Sequence, residues 1–310
     1  MSNTNERKKT SIGGSALIEG VMMRGPFTTA MAVRKPDGEL DISQWETEKG
    51  AKPWYKKAPF IRGSFNFIDS MAVSYKCLMK SAEIAGFEEE PSAFEKKLEK
   101  LFGESFSKVL SGFAMILGVL LAVLLFMVLP TVLVSLIKPF ISSQWLMALC
   151  EAVVKIAIFM AYIIAISQMS DIKRVFQYHG AEHKTIACYE AGEELTVENV
   201  KRHSRFHPRC GTSFILIVLI VSALVFSLVT WDKLIVRIAL KLICLPIVVG
   251  ITYEIIKLAG RYDNVCTRII SAPGLWMQRF TTNEPDAGQI EAAIAAMLPC
   301  IPEDKEQDNW

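Results

Sequence analysis

The chain has 310 residues, is 51% hydrophobic, has a positive mean hydropathy and carries a formal net charge of +2. It is too apolar for a single water-soluble domain and fits several membrane helices joined to a polar portion. The small charge argues against nucleic-acid binding, and the seven dispersed cysteines, with no C-x-x-C pair, give neither a disulfide framework nor a zinc ribbon.

The first ten residues are polar and basic, with no apolar run before Gly13, so they do not read as a cleaved signal peptide. From residue 12 to 45 the pattern is extended. Segments 29–35 and 39–45 flank Pro36-Asp37-Gly38, a turn sequence that predicts a β-hairpin. The preceding stretch, 13–26, is dense in glycine but fails the G-x-G-x-x-G spacing, and no P-loop lysine follows. It is expected to bring backbone close to a site. Glu19 and Arg24 are then either ligand-binding charges or a structural ion pair.

Arg62-Gly63 opens a predicted helix whose apolar stripe includes Ile68, Met71, Tyr75 and Met79, suited to core packing or a membrane surface. An acidic linker at 87–92 leads to an amphipathic helix at 95–108. Four segments, 110–137, 145–167, 214–230 and 235–258, are apolar enough to cross about 30 Å of hydrocarbon, with kinks expected at Pro130 and Pro246. Their short links hold only Lys138 and Lys233 as cations. The 168–213 loop is far more basic, so the positive-inside rule predicts a multi-pass cell-membrane protein with both termini and this loop in the cytosol.

Charges inside spans are costly. Glu151 with Lys155, and Arg237 with Lys241, read as a structural ion network in preference to a transport path. Glu254, near the cytosolic end of the last span, is a candidate carboxylate ligand. Beyond it, Trp276, Arg279 and Phe280 suit an interfacial segment. Glu284 and Asp286 form a second acidic cluster, unless Asp286 simply caps the apolar helix at 289–298.

All four histidines lie between Gln177 and Ser213. His179-Gly180-Ala181-Glu182-His183 reads H-x-x-E-H; on a helix these three side chains share a face, with two imidazoles placed for one divalent ion and Glu182 placed as general base. His203 and His207 repeat the i, i+4 pair, and Cys210 follows as either a further ligand or a buried small hydrophobe. Thr196 is expected to cap a helix from Val197 to His207, stopped by Pro208, so that two helix-borne pairs face each other. Arg209 or Arg24 is a candidate for stabilising an oxyanion or phosphate.

The segments 14–26, 177–184, 207–212, Tyr253-Glu254 and 281–286 together resemble the YqhQ-like family of bacterial multi-pass membrane proteins. That resemblance implies a metal-dependent enzyme. The chain departs from the family pattern at Ala287-Gly288, where a further acidic residue is expected.

The expected architecture is therefore an α-helical polytopic membrane protein of about four transmembrane helices with a small α+β cytosolic portion. Residues 1–108 form the amino-terminal α+β region, 109–167 the first two spans, 168–213 the histidine loop, 214–258 the last two spans, and 259–310 a cytosolic or interfacial end. The expected function is a cytosol-facing hydrolase with zinc held by His179, His183, His203, His207, Cys210 and Glu254. Its substrate would be a membrane lipid or a membrane-protein segment. A metal-binding scaffold or sensor, and an ion or metal transporter, are the alternatives.

Overall fold

The computed structural model describes residues 9–47, 53–87, 106–141, 143–228, 233–262, 264–304 and 307–308. The predicted linker at 87–92 and the amphipathic helix at 95–108 fall almost entirely outside them. Two units emerge. One is drawn from residues up to Gly86, Ile163–Val218 and Pro246 onward; the other comprises Phe87–Tyr162 and Leu219–Leu245.

The first unit is built on a four-stranded antiparallel meander: β1 (Gly13–Leu17), β2 (Gly20–Arg24), β3 (Thr28–Arg34) and β4 (Leu40–Glu46). β3 and β4 form the hairpin predicted around Pro36-Asp37-Gly38, where Gly38 takes a φ of 90°. β1 and β2 form a second hairpin, with Leu17 opposite Gly20. Its two-residue turn needs positive φ, and Glu19 supplies it at 52°. The strain is compensated by a carboxylate held by Arg174 and by the Tyr178 hydroxyl at 3.2 Å, so Glu19 pairs with these residues and not with Arg24.

Alternation along the strands explains why β2 and β3 read as continuous apolar runs: both faces are covered. Val21, Met23, Ala30 and Ala32 face helices α5 (Ser170–Glu190) and α10 (Ala287–Met297). Leu17, Met22, Met31 and Val33 pack instead around Cys77 of α1 (Ile61–Ile84). Each large side chain so buried contributes about 1.5–3 kcal/mol. The predicted stripe on α1 joins this core only at Leu78; Ile68, Met71, Tyr75 and Met79 are exposed.

In the second unit and its continuations, α2 (Phe106–Val123) runs through a π-helical turn, Leu124–Val128, into α3 (Leu129–Ile137). Pro130 lacks an N–H and its ring presses on the preceding turn, and the wider π turn accommodates both. α4 (Gln144–Ile166), α7 (Gly211–Ser227) and α8 (Leu234–Arg261) complete the set. Among the described residues, three helices are long and apolar enough to cross a membrane: Gly112–Phe140, Trp145–Ile166 and Ile235–Arg261. The fourth expected span, 214–230, corresponds to α7, which has 17 residues and ends before residues 229–232, which are not described. At 1.5 Å per residue it is about 26 Å long, at the short limit for a crossing.

Of the four charges read as one ion network, Glu151, Arg237 and Lys241 join, whereas Lys155 bonds elsewhere. Glu151 accepts from Arg237 at 2.7 Å, from Lys241, and from the Thr131 hydroxyl at 3.1 Å; Lys241 also donates to Thr131 at 2.9 Å. Lys155 donates to Ser222 at 3.3 Å, its ammonium 5.0 Å from the Phe226 ring centre. All lie within the second unit.

Candidate metal centre

Helix α5 carries the H-x-x-E-H motif. Gly180 permits its close packing against the chain beyond α9 (Val265–Thr281): a Cβ there would sit 2.0 Å from the Asn283 carbonyl. The helical spacing puts His179, Glu182 and His183 on one face. Cys210 arrives at the start of α7, and one ligand atom each from His179, His183 and Cys210 lie within 4.8 Å of one another. His183 and Cys210 are buried, while His179 is only partly so.

The hydrogen bonds fix which ring nitrogens are free. His179 Nδ1 meets the Thr281 carbonyl at 2.8 Å, and His183 Nδ1 meets the Arg205 carbonyl at 2.6 Å. A carbonyl only accepts, so each Nδ1 carries the proton and each Nε2 is left with its lone pair. His179 Nε2 is 3.2 Å from Cys210 Sγ. This is the outer-partner arrangement that orients metal-binding histidines.

Electrostatics agrees with the geometry. Burial alone would raise the Cys210 thiol, but His179 and His183 outweigh it and hold the group well below its usual value. Burial would lower His179, yet the Cys210 thiolate beside it raises the imidazole to about 9. Glu182 is almost fully buried, with the Gly14 backbone N–H bonded to it; burial pushes its carboxyl up against the pull of His183 and His179. A Cβ on Gly14 would come within 2.9 Å of the Glu182 side chain, so the glycine-rich segment does meet the site.

The second histidine pair departs from expectation. Thr196 caps α6 (Val197–Arg202) by accepting from Asn199, but the helix stops there instead of reaching His207. The Ser204 hydroxyl accepts the Phe206 N–H at 3.0 Å, an alternative to helical bonding, and Pro208 offers no N–H to continue it. The stop frees the Arg205 carbonyl for His183. It also separates the pair: His203 joins Cys188 and Glu193, whereas His207 lies with its ring centre 5.7 Å from that of His183 and its Nε2 3.4 Å from Glu190. Burial, with His183 and Arg209 nearby, keeps His207 below its ordinary value despite Glu190.

The remaining candidates are placed elsewhere. Arg209 pairs with Glu190 and donates to the Thr10 carbonyl at 2.7 Å. Glu254 takes a two-pronged bond from Arg62, at 2.7 and 2.5 Å, and stands outside the trio. Arg24 closes β2, and among the described residues no hydrogen bond or ion pair joins it to the histidines. Glu284 pairs with Lys184 at 2.8 Å, and Asp286 caps α10 through a reciprocal bond with Gln289. Sequence reasoning missed Gln278, whose amide clamps both backbone groups of His207 at 2.8 and 2.7 Å. It also missed the Thr281 and Arg205 carbonyls, because backbone groups carry no residue signature.

Among the described residues the chain is mostly helical, with three apolar helices of spanning length, a small β-meander and a Cys-His-His cluster. The chain belongs to the family described as "Protein of unknown function (DUF1385)", matched over residues 58–303. It is also 37% identical, over 285 residues, to "Uncharacterized protein YqhQ" of Bacillus subtilis (strain 168), covering 91% of this chain and 89% of that protein. No solved structure matches it.

Proposed function

We propose that this protein is a multi-pass membrane hydrolase whose cytosol-facing site uses a divalent cation, zinc by its donor set. The observation that carries the reading is the trio of His179 Nε2, His183 Nε2 and Cys210 Sγ, with both imidazoles turned toward it by backbone carbonyls. Three protein ligands of N and S type leave one position for substrate or water, as catalytic zinc sites do. The cation would supply Lewis acidity, polarising an ester, amide or phosphoryl oxygen and activating water.

The chain's own residues do the rest. Cys210 and the two imidazoles would hold the cation, while the Thr281 and Arg205 carbonyls keep the rings in the required tautomer. Glu182, poised by burial to exchange a proton at its carboxylate, serves as general base and then general acid. Arg209, paired with Glu190 and bonded to the Thr10 carbonyl, would position the loop. The three spanning-length helices and the exposed Trp276 on α9 favour a substrate that approaches from the membrane, a lipid or a membrane-protein segment.

The test is elemental analysis of purified full-length protein beside His179→Ala, together with hydrolysis of p-nitrophenyl acetate and bis(p-nitrophenyl) phosphate. The wild type should carry bound zinc that the variant loses at the trio. Glu182→Gln should keep the metal and lose turnover. Wild-type protein with no metal at the trio overturns the reading.

A further inference from the structure

A second group of ligand atoms lies at the carboxyl end of α5, apart from the trio. Cys188, Glu193 and His203 each bring one ligand atom within 4.8 Å of the others. Two backbone devices bring them together. The Gly192 N–H bonds the Tyr189 carbonyl at 2.9 Å and the Glu193 N–H bonds the Cys188 carbonyl at 3.3 Å, with Gly192 at a φ of 74°. This paired closure folds Glu193 back beside Cys188. Helix α6 then ends at His203, whose extended backbone turns the imidazole toward the same point.

His203 supplies the independent observation. Its Nε2 is shut off from solvent yet makes no hydrogen bond among the described residues, although a Glu193 oxygen is only 3.3 Å away. The oxygen is near enough for a charge contact but not aligned for a hydrogen bond. Buried polar atoms of this kind are rare in native proteins, and a missing ion is one of their standard explanations. Nitrogen, sulfur and oxygen donors at this spacing fit a tetrahedral zinc-class ion with one further position. Glu193 is half-exposed, which gives a cation a way in.

We propose that Cys188, Glu193 and His203 form a second divalent-cation site, separate from the trio and structural in role. It ties the end of α5 to the end of α6, and so fixes the start of the loop that presents the Arg205 carbonyl to His183 and delivers Cys210. The ion binds whether or not the trio does.

The test uses full-length protein in detergent with Cys210→Ser, which removes the trio's thiolate, loaded with Co²⁺ alone. A thiolate-to-cobalt charge-transfer band should persist in Cys210→Ser and vanish when His203→Ala or Cys188→Ser is added. In the wild-type background, His203→Ala should lower tightly bound zinc by about one ion per chain, and Glu193→Gln should weaken cobalt binding about tenfold or more. Both substitutions are at or near the surface and spare the core should Cys188→Ser misfold. A Cys210→Ser protein with no thiolate–cobalt band, or a His203→Ala protein with unchanged zinc, overturns the proposal. Failure of the trio alone would leave the Cys210→Ser band intact, so the two proposals fail separately.

Discussion

Two of the buried polar clusters among the described residues are of opposite design. Around Glu151 both carboxylate oxygens are engaged: Lys241 and Thr131 bond one and Arg237 the other, while Lys155 turns to Ser222 and a ring face. Around His183 the proton-bearing nitrogens are spent on backbone carbonyls, while the lone pairs of two imidazoles and a thiolate converge on one point. A closed network satisfies charges that the fold has buried. In the second, the outer partners are in place and the inner nitrogen and sulfur atoms face one another, the arrangement on which the proposed cation site rests.

The comparison breaks most readily at Glu151. Glu151→Ala strands Arg237 and Lys241 among apolar helices and should cost about 3–5 kcal/mol, seen as a large loss of thermal stability in detergent. A Glu151→Met, Lys241→Met double variant should recover part of that loss. No such penalty is expected at the open site. His183→Ala should leave folding largely intact but weaken cation binding beyond the roughly 10–100-fold that losing an outer partner costs, measured by competition with a chelating dye.

Two smaller effects sharpen the same distinction. Gly180→Ala drives a Cβ into the Asn283 carbonyl and should destabilise the first unit by about 1–3 kcal/mol, read from its denaturant midpoint. Asp286→Ala removes the cap of α10 and should cost about 1 kcal/mol with metal content unchanged. If Asp286→Ala released the metal instead, the acidic segment would belong to the site and not to the helix end.

Much of the fold was readable because its signals are local. The turn at Pro36-Asp37-Gly38, the helix from Arg62, the Thr196 cap and the apolar runs each depend on a few neighbouring residues. The β1–β2 hairpin was harder to see, since its turn rests on Glu19 at positive φ, a conformation stabilised by Arg174 and Tyr178 from far along the chain. Among site residues, His179, Glu182 and His183 could be read from spacing because their helix persists. His203 and His207 could not: the same spacing lost its meaning once α6 stopped at Arg202. Glu254 looked available until Arg62, 192 positions away, was seen to hold both of its oxygens.

By itself the sequence determined periodicity, and with it the helices, the strands and the face that His179, Glu182 and His183 share. Only the tertiary structure decided which lone pairs remain unspent, because that depends on backbone carbonyls and counter-charges brought in from distant segments. A ligand site is defined by what its neighbours leave unsatisfied, and that balance exists only once the chain has folded.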